Sequence, residues 1–202
     1  MKLQTLKESI NGIDIYLLDQ ILKERYQAGE KIVDAGCGSG RNLKWFYQND
    51  FEIYGTDVDE KRVDQCKTTY STQKDHFRKA AIEEMPYKTN AFDHVICNAV
   101  LHFAKDDAHF KEMFSELIRI LKPQGSLFIR MTSDFGMEDQ IELLSEGVYK
   151  LPDGATRYLL NTKNLEALQN DFPIKLLETV KTTIVKDMRC MTTLVIQKEG
   201  LK

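Results

Sequence analysis

Apolar residues along this chain alternate between two periods. Between residues 13 and 27, Ile13, Tyr16, Leu17 and Ile21 share one helical stripe, widened by Leu18 and Leu22, and predict a leading helix. Short β-rich runs then recur at Lys31–Ala35, Glu52–Thr56, a weaker stretch near His76–Lys79, His94–Cys97 and Ser126–Met131. Helical spacing fills the intervals at 41–49, 60–71 and 107–121. The last of these carries Phe110, Met113, Phe114, Leu117 and Leu121 on one face and stops at Lys122-Pro123. Strands alternating with helices imply a parallel sheet joined by right-handed crossovers.

Beyond Met131 the pattern changes. Thr132 to Tyr158 contains Phe135-Gly136, an apolar cluster (Ile141, Leu143, Leu144) that predicts a short helix, then Gly147 and the turn Pro152-Asp153-Gly154. A helix is expected over 162–170. Two β-rich segments, Ile174–Val185 and Cys190–Gln197, joined through Lys186–Arg189, predict a closing hairpin. The chain is expected to be one α/β domain over 1–202. Its parts are a leading helix (1–28), a ligand-binding half (30–131) and a second half (132–202) that ends in the hairpin.

The densest chemical signal is Asp34-Ala35-Gly36-Cys37-Gly38-Ser39-Gly40, between the first strand and the next helix. Glycine alone takes positive φ without strain and carries no Cβ, so such a loop turns tightly and lets its backbone approach a ligand. The helix that follows aims free N–H groups at the same place. The spacing is G-x-G-x-G led by an acid, not the G-x-G-x-x-G of dinucleotide sites. A pyrophosphate would tolerate no carboxylate at Asp34, whereas a cationic or amino-bearing ligand would welcome one. Asp57 ends the second strand about 20 residues beyond Gly36, the offset at which an acid meets ribose hydroxyls in nucleotide-binding βαβ units. Plainer readings are a tight turn, a helix cap at Asp34 and an N-cap at Asp57, although Asp59 suits that last role better.

Through Asp34–Gly40 and Asp57, the chain resembles the class I S-adenosylmethionine-dependent methyltransferases. The likeness continues through Ile82–Tyr87, Phe92–Asn98 and Leu121–Gly125, and so covers residues 30 to 131 in order. It implies a doubly wound, Rossmann-like three-layer sandwich on a seven-stranded, mainly parallel sheet with a C-terminal antiparallel strand. It also implies S-adenosylmethionine as cofactor, held by Asp34, Ala35, Gly36, Cys37, Gly38, Gly40, Asp57, Val58, Ala81, Ile82 and Asn98. By the resemblance Asp34 meets the cofactor's amino group, directly or through water. The family often places an acid where Ala81 stands, so that contact is missing here. Where members that methylate nucleic-acid amines carry Asn/Asp-Pro-Pro-aromatic, this chain has Asn98-Ala99-Val100-Leu101, which argues against that chemistry.

Composition narrows the partner. The net charge is −3 with Lys and Arg dispersed, so no broad nucleic-acid footprint is expected. Met1–Gly12 is polar, no apolar run reaches membrane-spanning length, and the four cysteines form no C-x-x-C pair. These features suggest a reducing cytoplasm. The expected activity is methyl transfer to a small-molecule nucleophile; an RNA or protein methyltransferase and a non-catalytic cofactor-binding protein are the alternatives. His102, just past the fourth strand, is a candidate general base. Tyr16, Arg130, Phe135, Tyr149, Arg157 and Tyr158 are candidates for an acceptor pocket, with arginine suited to a carboxylate or phosphate. His102, Asp106 and His109 invite a metal, but no cysteine or further histidine stands near them, and none is expected.

Overall fold

The computed structural model describes residues 3–200. Its helices are α1 (Leu3–Ile10), α2 (Ile15–Leu22), α3 (Lys44–Gln48), α4 (Glu60–Thr69), α5 (Asp107–Ile120) and α6 (Thr162–Asp171). Its strands are β1 (Lys31–Ala35), β2 (Glu52–Asp57), β3 (Phe77–Lys79), β4 (Phe92–Asn98), β5 (Leu121–Ser133), β6 (Glu142–Ser145), β7 (Val148–Lys150), β8 (Thr156–Tyr158), β9 (Ile174–Leu176), β10 (Lys181–Val185) and β11 (Arg189–Lys198).

The main sheet runs β10-β11-β5-β4-β1-β2-β3, with β1 to β5 mutually parallel and β11 antiparallel to β5. β9 and β10 both pair with the edge of β11 away from β5, so the eight strands fill seven lanes. The expected Ile174–Val185 arm is thus two short strands, interrupted at Leu177–Val180. Central strands of a sheet covered on both faces must be apolar on both sides. β1 and β4 are, and alternate residues feed two separate cores. Ile32, Ile96, Phe128 and Val195 pack with Leu17, Phe46 and Val63 of α2, α3 and α4. Val33, Val95, Leu127 and Ile129 pack on the other face with Phe114, Leu117 and Leu168 of α5 and α6. The sandwich is doubly wound, as expected.

Three expectations need correction. The leading helix is shorter than its apolar stripe: α2 ends at Leu22, and Glu24 turns left-handed (φ 54°). A further helix, α1, precedes it in sequence that shows only polarity. The apolar cluster at 141–144 is not helical. Glu142–Ser145 is the outer strand of a small antiparallel sheet, β6-β7-β8, with Leu143 61% and Leu144 51% exposed. That sheet is anchored by Tyr158, which stacks on Phe110 at 4.6 Å, donates to Asp107 Oδ1 at 2.8 Å and fills the space a Cβ on Gly147 would need.

The N-terminal segment is tied down by charge. Asp14 caps α2 by accepting from Tyr16 N–H at 2.9 Å. Its other oxygen accepts from Arg130 Nη1 of β5 at 3.0 Å, and the carboxylate is 3% exposed. Removing one partner strands a charge in low dielectric. Arg130 keeps 20% of its side-chain surface, which puts the cost near the low end of the usual range. Asp14→Ala is therefore expected to lower unfolding stability by about 3 kcal/mol, cap included. Urea denaturation checks this; a loss under about 1 kcal/mol would mean that the leading helix contributes little to the fold.

Candidate active site

The strand order reverses between β1 and β4, and the carboxyl ends of these strands open on a cleft, as open α/β sheets predict. The cleft encloses about 620 Å³ and is walled by Gly36–Ser39, Asp57–Asp59, Ala80–Glu83 and Asn98–Val100, with Phe103 and Met113 at one side.

Its first wall is the glycine loop. Gly36, Gly38 and Gly40 all have positive φ (79°, 53° and 78°). Space adds a second constraint at two of them. A Cβ on Gly36 would lie 2.4 Å from Val100, and one on Gly40 2.7 Å from the Tyr70 ring. The loop is pinned to β2 because Gly36 and Cys37 N–H both donate to Thr56 O at 2.8 Å. Gly38 N–H donates to Asp57 Oδ2 at 2.8 Å, and Asp59 N–H donates to Oδ1 at 2.9 Å. Asp57 therefore holds the loop as well as facing the cleft, and Asp59 is the cap of α4.

Beneath the loop lies Asp34, 1% exposed, with no donor on either carboxylate oxygen. Burial pushes its pKa from an ordinary 3.8 up to about 7, against the pull of the Arg41 charge. Cys37 and Cys66 sit under the same turn with sulfurs 3.9 Å apart, and their mutual hydrogen bond and burial push the Cys37 thiol far up, so it is no nucleophile. The Asn98 amide nitrogen, on a side chain 7% exposed, also lacks a partner.

A smaller cleft of about 300 Å³ adjoins the first and shares Arg41, Asn98 and Ala99 with it. His102, Arg130, Arg157 and Arg189 line it, with Asp153 and Leu151. His102 is 7% exposed and its Nδ1 has no partner. Burial first, then the charges of Arg157 and Arg189, lower its pKa to about 4, so the imidazole is neutral at pH 7.

The structure sorts the expected residues. Gly36, Cys37, Gly38, Asp57, Val58, Ala81, Ile82 and Asn98 line the larger cleft; Asp34, Ala35 and Gly40 lie behind it. Asp34 is thus a buried group behind the glycine loop and not part of the cleft wall. His102, Arg130 and Arg157 line the smaller cleft. Tyr158 does not, because successive strand residues point to opposite faces, and the face opposite Arg157 is the core. Tyr149 pairs with Arg157 one strand further out, Phe135 lines neither cleft, and Tyr16 packs under the Arg130 guanidinium at 5.0 Å with its hydroxyl on Thr183. Sequence reasoning missed Arg41, Arg189 and Phe103. Arg41-Asn42 directly follows the glycine loop and was the signal available. Glu83 stands on the rim 3.3 Å from His109 Nε2.

A parallel sheet with a glycine turn after β1 and an acid after β2 defines a nucleoside-binding α/β domain. A family model described as a methyltransferase domain matches residues 33–129. The cycloartenol-C-24-methyltransferase of Arabidopsis thaliana is 29% identical over 82% of this chain and 50% of its own length. The tRNA (carboxymethyluridine(34)-5-O)-methyltransferase of the same plant is 31% identical over 52% of this chain and 25% of its own. A crystal structure of a SAM-dependent methyltransferase from Methanosarcina mazei shares the fold with a TM-score of 0.70 at 17% identity, covering 90% of this chain and 98% of that one. The chain carries a methyltransferase domain over residues 33–129, on the fold of the S-adenosylmethionine-dependent methyltransferases, whose cofactor is S-adenosylmethionine. It spans half or less of the length of these two curated relatives.

The raised pKa of Asp34 has a stability consequence. A carboxyl whose pKa rises on folding stabilises the fold fully below its unfolded value and loses that contribution as pH climbs through the folded one, here from about 4 to about 7. Asp34→Asn removes the ionisation and keeps the shape. It is expected to stabilise the ligand-free protein by roughly 2–4 kcal/mol at pH 8 and little at pH 4. Thermal melts at both pH values check this; equal shifts at both would refute the buried charge.

Proposed function

We propose that this chain transfers the methyl group of S-adenosylmethionine to a small-molecule nucleophile, with the cofactor in the larger cleft and the acceptor in the smaller one. The observation that carries this is the buried, donor-less carboxylate of Asp34 behind a loop of three left-handed glycines. A ligand that brings positive charge or an N–H donor to it favours its ionised form. The cofactor supplies a methyl group already activated on a sulfonium sulfur. The residues here then have little chemistry to perform beyond holding two molecules in line and excluding water.

In this reading Asp57 takes the ribose hydroxyls on the lone pairs its two backbone donors leave free. Val58, 66% exposed and at the rim, offers an apolar surface to the adenine. The backbone of Ala81 and Ile82 meets its edge, and Asn98 presents its free amide nitrogen at the junction with the acceptor. The segment from Thr132 to Tyr158 contributes Leu151, Asp153 and Arg157 to the acceptor side, which supports an acceptor-shaping role for it. A small acceptor is favoured by the 300 Å³ size of that cleft, by the net charge of −3 and by the Asn98-Ala99-Val100-Leu101 tetrapeptide. The tRNA relative makes RNA the competing acceptor. Four unpaired, buried cysteines suit a reducing, cytoplasmic setting.

Calorimetry is expected to show binding of S-adenosylmethionine and S-adenosylhomocysteine and not of NAD; NAD binding alone would end this reading. Turnover with pooled metabolites against bulk tRNA separates the acceptors. Transfer to tRNA alone would reverse the small-molecule reading, and no transfer to either pool would favour a non-catalytic binder.

Asp57→Ala is expected to weaken cofactor binding about 10- to 100-fold, the loss of charge-assisted hydrogen bonds worth roughly 1.5–3 kcal/mol. An unchanged dissociation constant would place the ribose elsewhere. Because a cationic ligand favours ionised Asp34, affinity is expected to fall as pH drops below about 7, with proton release on binding. Calorimetry in buffers of different ionisation enthalpy reads that proton directly.

A further inference from the structure

The smaller cleft has a charge of its own, opposite to that of the larger one. Four guanidinium side chains reach it from four separate parts of the chain: Arg41 after the glycine loop, Arg130 from β5, Arg157 from β8 and Arg189 from β11. Two are matched. Arg130 is paired with Asp14 at 3.0 Å, and Arg189 with Asp153 at 3.2 Å. The other two have no carboxylate partner among the described residues. Arg41 donates to Gly12 O at 2.7 Å, and Arg157 to Thr156 O at 2.8 Å while lying over the Phe103 ring at 4.8 Å. Arg41 acts at a distance on the buried Asp34, and Arg157 faces no carboxylate in an ion pair, so the concave site keeps an excess of positive charge. Two buried ring and amide nitrogens, His102 Nδ1 and Asn98 Nδ2, also stand in its lining without partners. Their side chains are each more than nine-tenths buried, so bulk water is a poor substitute for a ligand.

We propose that the acceptor bound in this cleft is a small organic acid, its carboxylate or phosphate group gripped by Arg157 and Arg41 with Arg189 beside them. The assignment rests on the methyl-transfer reading above and adds the acceptor's chemical class. Guanidinium forks suit both oxyanions, and a 300 Å³ cavity walled by side chains suits a single small molecule rather than a polynucleotide. The Phe103 ring beneath Arg157 and the Thr156 carbonyl together hold the guanidinium in place. Phe103 lines the larger cleft, so this contact also ties acceptor binding to the cofactor side.

The site contains its own reporter. His102 is held neutral by burial and by the neighbouring Arg157 and Arg189 charges, while Arg130, Arg41 and Asp153 face the same space from the other elements. An anion that neutralises the arginines removes their part of what lowers the His102 pKa, the burial part remaining. The experiment uses protein loaded with S-adenosylhomocysteine, titrated with benzoate, phenyl phosphate and, as neutral control, benzamide. Ring C–H resonances of His102, assigned with His102→Gln, are followed against pH.

One of the two anions is expected to bind at least tenfold more tightly than benzamide and to raise the His102 pKa by a unit or more. The arm that does so distinguishes an acid acceptor from a phosphate one. Arg157→Gln is expected to weaken that anion about tenfold or more, and to raise the His102 pKa in the absence of any anion. Arg157 is half-buried at the edge of the outer sheet, so the Arg157→Gln variant folds. If S-adenosylhomocysteine binds and neither anion outcompetes benzamide or moves His102, the proposal is wrong while the cofactor reading stands. If S-adenosylhomocysteine itself fails to bind, the methyl-transfer reading falls and the acceptor assignment falls with it.

Discussion

One carbonyl oxygen, that of Thr56, accepts from two consecutive N–H groups, and the site depends on it. Gly36 and Cys37 can both reach it only because Gly36 turns left-handed as β1 ends. That turn folds the loop back against β2, and this brings Gly38 N–H onto Asp57 and lays the loop across Asp34. Parallel pairing of β1 with β2, in register from Lys31 against Glu52 to Ala35 against Thr56, supplies the alignment. The fold thus sets the geometry of the cleft through backbone alone, and side chains are left to set its charge.

The charges are sorted. Asp34, Asp57, Asp59 and Glu83 stand in or behind the larger cleft against Arg62; Arg157 and Arg189 stand in the smaller one with Asp153, and Arg41 lines both. The border is Asn98-Ala99, and Ala99 is held at φ 63° with its N–H on Arg130 O at 2.7 Å. A left-handed alanine costs on the order of 1 kcal/mol or more and persists only where its surroundings insist on it. Here it turns the chain sharply off β4, so that Val100 closes on Gly36 in one cleft while His102 enters the other. The same strained residue therefore shapes both pockets. Opposite fields on either side of it suit a cationic cofactor meeting an anionic acceptor, and disfavour each ligand in the other's place.

Legibility in the sequence follows the range of the interactions involved. The glycine loop, Asp57 and the Asp59 cap were readable because a positive φ, a strand end and a helix start are local events. The central strands β1, β4 and β5 were readable because burial on both faces favours apolar runs, and β3, with two of its three residues exposed, left the weakest trace. The outer sheet was not. Leu143 and Leu144 form an adjacent apolar pair that resembles a helical fragment, yet both are exposed, and the sheet is anchored instead by Tyr158 and Gly147. Once Thr156–Tyr158 is seen as a strand, its period of two shows that Arg157 and Tyr158 could never have lined one pocket. Without the strand, they look equivalent.

The smaller cleft was hidden for a further reason. The larger cleft draws on segments that follow each parallel strand in turn, so its parts appear in chain order. The smaller cleft is assembled from Arg41, Arg130, Arg157 and Arg189, spread over most of the chain and with no spacing relation among them. Arg189 sits in what reads as a connector between two strands, and Asp153 in what reads as a plain turn. Only the antiparallel return of β11 onto β5, which sets Cys190 opposite Ser133, brings Arg189 near the β8 edge. A site built this way can change its ligand by single substitutions on β8, on β11 or in the turn at Asp153. None of these touches the Thr56 carbonyl or the loop it holds. The fold therefore separates a larger cleft set by backbone hydrogen bonds from a smaller one whose lining side chains are free to vary.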